Sequence, residues 1–122
     1  KSVYQAIRKE ALNDVNKAIK TYYLLKKNSI SEYSFENPSE LNTLGYELLR
    51  AGKNIESIEI FKLAAKEFST NANLFDSLGE AYYTNKQYDL ALNSYEKAIQ
   101  FGGTNGNAEK MIDKIKKIKD NN

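Results

Sequence analysis

Leu44-Gly45, with Phe61 and Ala64-Ala65 behind it, recurs 34 residues later as Leu78-Gly79, with Tyr95 and Ala98-Ile99 behind it. A period of that length belongs to a stacked helical hairpin, a unit that closes its core only against its neighbours. Such stacks bind other molecules far more often than they transform them. The echo therefore directs attention to an interaction surface before a catalytic centre.

The chain outside the echo agrees with that class. Its 122 residues make one domain by length, enough to bury roughly two-thirds of the surface of the unfolded chain. With one proline, six glycines and an abundance of Lys, Glu, Ala, Leu and Ile, an all-helical fold is expected. No apolar run approaches the roughly 18 residues of a membrane span, so no membrane insertion is expected. Cysteine and histidine are both absent. Disulfides and thiolate metal sites are thereby excluded, along with the usual general base near neutral pH. A net charge of +2 is too small to imply a nucleic-acid partner. The chain opens on Lys1 without a signal peptide, which is expected of a piece of a longer protein whose targeting signals lie upstream. Its wealth of Lys, Asn, Ile and Tyr points to an AT-rich bacterial genome.

Residues 1–28 read as a leading helix pair with a turn near Ala11–Asp14, since Val15, Ala18, Ile19, Tyr22 and Leu25 recur at helical spacing. Residues 29–37 form a polar loop that nonetheless carries Ile30, Tyr33 and Phe35. The first unit, 38–71, has a strong start: Asn37 as N-cap, Pro38 at the first helical position and Glu40 placed to complete a capping box. Gly52 supplies a left-handed stop near Ala51. Asn54 is then expected to cap a helix with an apolar stripe of Ile55, Ile58, Phe61 and Ala65. In the second unit, 72–105, Asn71 is the expected cap, and Leu74, Phe75, Leu78, Ala81 and Tyr82 share a face. A polar turn at Thr84–Gln87 leads to a helix ending at Gly102-Gly103. Residues 106–122 hold a last helix with Ile112, Ile115 and Ile118 inward and lysines around them, as a terminal cap requires.

Phe75, Leu78, Gly79, Tyr82, Ala91, Tyr95 and Ala98 in the second unit resemble the signature of a tetratricopeptide repeat. Leu41, Leu44, Gly45, Leu48, Ser57, Phe61 and Ala64 match it more loosely in the first. There Asn54 replaces the usual aromatic and Ser57 the usual alanine, and Ser69 and Gly103 stand where proline is common. The strings Glu40–Arg50, Ile58–Lys62 and Asp76–Tyr82 are further similar to the repeat tail behind bacterial serine hydrolases. Those hydrolases are of the β-lactamase and penicillin-binding type or of the α/β-hydrolase esterase type. The resemblance extends to Tyr22–Lys26 and to the loop at Tyr33–Phe35. It implies a right-handed stack of antiparallel helix pairs, about six or seven helices with a C-terminal capping helix. It also implies a catalytic domain outside this chain.

In such a stack the first helix of each hairpin lines a concave groove. Here that places Asn42, Tyr46, Leu49 and Arg50 beside Asn73, Asp76, Glu80 and Tyr83 as the candidate binding residues. Tyr46 and Tyr83 are amphipathic anchors and Arg50 can pair with a carboxylate. A related subset of these repeats grips C-terminal carboxylates of chaperone tails. Tyr46 and Glu80 stand where that clamp requires asparagine or neutral polar groups, so such binding is not expected.

Catalysis finds little support in the residues. Ser94-Tyr-Glu-Lys97 matches a Ser-x-x-Lys nucleophile pattern, but a chain so rich in serine and lysine yields about one such match by chance. Glu56, Glu59, Asp76 and Glu80 read as solvated carboxylates rather than an acid–base pair. Closely spaced oxygen ligands around a glycine turn are missing, so neither a metal nor another cofactor is expected. The basic end, Lys110–Lys119, reads as a solvated cap diluted by Glu109, Asp113 and Asp120.

The expectation is an all-α, non-catalytic module that docks a protein, a peptide or the parent chain's own catalytic domain. A freestanding peptide-binding adaptor and self-association through the loop around Tyr33 and Phe35 are the alternatives.

Overall fold

Four of the described helices start where a side chain offers their first amide hydrogens a partner. The computed structural model describes residues 1–103 and 105–121; Thr104 and Asn122, inside the spans of the second unit and the terminal cap, lie outside the described residues. Helix α1 (Val3–Asn13) follows Ser2, whose side chain accepts from the Gln5 amide, and α2 (Val15–Asn28) follows Asp14, which accepts from Lys17. Asn37 opens α3 (Pro38–Arg50) by accepting from the Ser39 amide, with Pro38 at the first position where its missing N–H costs nothing. Asn71 does the same for α5 (Ala72–Thr84) through the Leu74 amide. Helices α4 (Asn54–Glu67) and α6 (Tyr88–Gln100) begin without a side-chain cap, and α7 (Asn107–Asp120) follows Gly106. Among the described residues there are seven helices and no strand, an all-helical stack.

Two local expectations are corrected. Asn54 is the first residue of α4 rather than its cap, because the Lys53 amide is already tied back to the Leu48 carbonyl at 2.9 Å and the chain re-enters a helix at once. Glu40 does not close a capping box on Asn37. Its Oε1 instead accepts from the Ser2 hydroxyl at 2.6 Å and the Tyr4 amide at 3.0 Å, satisfying the start of α1 from a neighbouring helix.

The packing has one recurrent contact. A Cβ added at Gly45 would lie 2.4 Å from the Phe61 ring, and one at Gly79 would lie 2.8 Å from the Tyr95 ring. The bare backbone thus lets each ring lie against the facing helix, closing α3 on α4 and α5 on α6. Ser57, where the repeat signature carries alanine, is fully buried, and its Oγ donates to the Gly45 carbonyl at 2.8 Å. That bond gives a polar group inside the first hairpin its required partner.

Two apolar clusters result, with α4 between them. Ile60, Leu63 and Ala64 face the first, built with Ile7, Tyr22, Leu44 and Leu48 of α1–α3. Ile58, Phe61 and Ala65 face the second, with Leu78, Tyr95 and Ile115 of α5–α7. Ile55, expected on the stripe, is 58% exposed, whereas Ser57 in the same turn is buried. The leading pair stacks differently from the later hairpins. Helix α1 packs on α3 and α2 on α4, while α2 hardly touches α3, since the loop at 29–37 separates them. In that loop Tyr33 and Phe35 pack against the first cluster, with the Phe35 ring edge-on to Tyr22 at 5.4 Å, so the expected exposed apolar loop is reduced to Ile30. Both rings are half-buried there.

The turns inside the two repeat hairpins share one geometry. Gly52 has φ +77° and is followed by the Lys53-to-Leu48 bond; 34 residues on, Lys86 has φ +60° and Gln87 donates to the Tyr82 carbonyl at 2.9 Å. A side chain in this left-handed region costs roughly 1–2 kcal/mol. Lys86→Gly is therefore expected to raise stability by about 1 kcal/mol. Urea unfolding checks this, and a midpoint that stays put or falls would contradict it.

Candidate functional site

Helices α1, α3, α5 and α7 carry polar contacts across each seam between neighbours. Between α1 and α3, Glu47 accepts from the Tyr4 hydroxyl at 2.8 Å and from Arg8 Nε at 2.6 Å. The Tyr4 hydroxyl, and then Arg8, hold the Glu47 carboxyl below its usual range. Between α3 and α5, the Tyr46 hydroxyl donates to Glu80 Oε1 at 3.0 Å and Ser77 Oγ donates to Asn42 Oδ1 at 2.7 Å. Between α5 and α7, Asn107 Nδ2 donates to both Asp76 oxygens at 3.0 and 3.1 Å, and the Lys114 ammonium sits 5.3 Å from the Tyr83 ring centroid.

Five of the eight candidate residues, Asn42, Tyr46, Asp76, Glu80 and Tyr83, are thus drawn into these contacts. Arg50 lies over the Tyr46 ring, 5.5 Å from its centroid, and is itself exposed. Leu49 leans against the second cluster, and Asn73 stands exposed beside a crevice of about 220 Å³ that Asp76 and Ala108 also line. The sequence placed these side chains on one side of their helices but carried no sign of their partners on α7. Asn107 and Lys114 looked like members of a solvated cap, and only the packing of α7 on α6 and α5 brings them across.

This side presents an exposed guanidinium, a phenol, carboxylates and amides held by their neighbours across the seams. Ser94, the candidate nucleophile pattern's first residue, is buried, and its Oγ donates to the Leu90 carbonyl of its own helix at 3.0 Å. Lys97 lies over the Phe75 ring instead, 5.7 Å from its centroid. Among the described residues no three carboxylates gather as a metal site, and no helix is long and apolar enough to cross a membrane.

A second feature escaped the sequence. A groove of about 510 Å³ runs between α4 and α6, floored by Phe75, Leu78 and Tyr82 of α5. Those three residues read as core, and they are; what the pattern could not show is that the groove also reaches them. Leu90 and Tyr23, exposed in the structure, border it.

No protein-family model and no curated protein matches the chain.

Tyr46 gives the polar side a pH signature. Burial, reinforced by the Glu80 carboxylate against the opposing Ser77 hydrogen bond, pushes its phenol from 10.0 up to about 12. A raised pKa means the neutral phenol is favoured by folding. The stabilisation is whole below pH 10, the unfolded value, and is lost as pH climbs from there towards about 12. Tyr46→Phe is expected to flatten this part of the alkaline limb without abolishing it, because burial also raises Tyr22, Tyr82 and Tyr95. Urea titrations at stepped pH test this; identical alkaline slopes would contradict it.

Proposed function

We propose that the chain is a non-catalytic docking module of the tetratricopeptide type, which binds a protein segment along the side formed by α3 and α5. The reading rests chiefly on the polar contacts that hold Tyr46, Glu80, Asp76 and Tyr83 at fixed positions between helices. Side chains already ordered by intramolecular partners lose little further entropy when a ligand arrives, which favours recognition over flexible surface residues. The matched contacts at Gly45 and Gly79, 34 residues apart, and the shared turn geometry at Gly52 and Lys86 support the repeat assignment. Arg50 is the best-placed group for a partner's carboxylate, since the Tyr46 ring steadies its guanidinium while leaving it exposed.

Within a longer protein the same side would dock on a catalytic domain of the parent chain. The strings Glu40–Arg50 and Asp76–Tyr82, similar to the repeat tails of bacterial serine hydrolases, favour that arrangement over a freestanding adaptor.

Peptides selected by display on the immobilised chain test the docking side. Arg50→Glu and Tyr83→Ala are each expected to weaken the selected peptides roughly tenfold, with helical circular dichroism unchanged. Affinity that survives both substitutions would remove this side as the binding surface.

A further inference from the structure

From the groove between α4 and α6 we infer a second, separate docking surface, which accepts an acidic amphipathic helix of a partner protein. It does not depend on the docking side proposed above. On α5, Phe75, Leu78 and Tyr82 point into the groove, while Asp76, Glu80 and Tyr83 are directed to the other side of the same helix. The groove exists because α4 and α6 hardly touch each other: both pack on α5, which lies beneath and between them.

Its floor is apolar and its rim is basic. Leu90 on α6 is 46% exposed and Tyr23 on α2 is 38% exposed, and both border the groove. Lys62, Lys66 and Lys97 stand along it against a single carboxylate, Glu59, which lies 3.6 Å from Lys62. Lys66 and Lys97 rest over aromatic rings, those of Tyr23 and Phe75, and neither meets a carboxylate within ion-pair distance among the described residues. Two ammonium groups flanking an apolar trough call for an occupant with an apolar stripe and carboxylates on either side. An amphipathic helix with glutamates beside its leucines has that form. The groove is open along its length rather than enclosed, which suits a helix face better than a single acyl chain. The lysines then act in steering and choice of partner, while the exposed Leu90 and Tyr23 at the margins supply most of the apolar area to be covered.

The probe is a synthetic amphipathic helix with a leucine–phenylalanine stripe flanked by glutamates, its binding to the chain followed by fluorescence anisotropy. Binding is expected to weaken as salt rises. Lys66→Glu and Lys97→Glu are each expected to weaken it roughly fivefold, and Leu90→Asp to weaken it at least as much. A matched peptide with lysines in place of glutamates is expected to bind the double variant, Lys66→Glu with Lys97→Glu, better than the native chain. All three positions are exposed, so folding should survive, and circular dichroism checks it. The inference is overturned if the acidic helix does not bind. It is equally overturned if binding ignores these substitutions and responds to Arg50→Glu instead. Concentration-dependent sedimentation abolished by Leu90→Asp would put a second copy in the groove, and binding of phosphatidylglycerol vesicles but not of the peptide would put a lipid surface there; either result also overturns it.

Discussion

An aromatic ring lying against a glycine of the facing helix sets the spacing of this molecule. Phe61 takes up the space that a side chain at Gly45 would need, and Tyr95 does the same at Gly79. Both rings are essentially fully buried; burying an apolar side chain of that kind contributes roughly 1.5–3 kcal/mol. Their placement also fixes how near the two helices of a hairpin can come. With both hairpins closed in the same way, α4 acquires a neighbour on each side. Ile60 and Leu63 then serve one cluster while Ile58 and Phe61 serve the other. Stability is therefore shared across the stack rather than held by either hairpin alone, as expected for repeats that bury surface only against neighbours.

That spacing gives the molecule two sides of different chemistry. Where α1, α3, α5 and α7 follow one another, polar side chains bridge the seams, with Glu47, Glu80, Asn42 and Asp76 accepting from donors on the neighbouring helix. Where α4 and α6 stand apart over α5, they leave an apolar trough edged by lysines. The polar side is proposed to read a protein segment by directional contacts, and the trough by burial and charge. Every buried polar side-chain atom among the described residues already has a partner within the chain.

Much of the fold was legible because it is local or periodic. Asn37, Asn71 and Gly52 act where they stand, and the repeat of Gly45 with Phe61 as Gly79 with Tyr95 is visible as a spacing. What escaped were groups diverted by distant neighbours. Glu40 leaves its own helix start to serve that of α1, and Ile55 is exposed where a stripe rule would bury it. Lys86 takes up a left-handed conformation only because it stands where Gly52 stands in the preceding hairpin. The candidate residues were placed on one side by the resemblance to stacked hairpins, in which the first helix of each lines a groove. Their partners on α7 depend on how that helix packs, and the α4–α6 groove depends on a separation between helices that no single segment records.

The dependence on ring-against-glycine packing is tested most directly by a double-mutant cycle of Gly45→Ala with Phe61→Leu, read by urea unfolding. Alanine's better helix propensity, about 1 kcal/mol over glycine, appears in both backgrounds and cancels, leaving the contact itself. The account predicts that Gly45→Ala is markedly less harmful once Phe61 is leucine, with a coupling of about 1 kcal/mol or more. Strict additivity would contradict it, because the ring and the missing side chain would then not be competing for the same space.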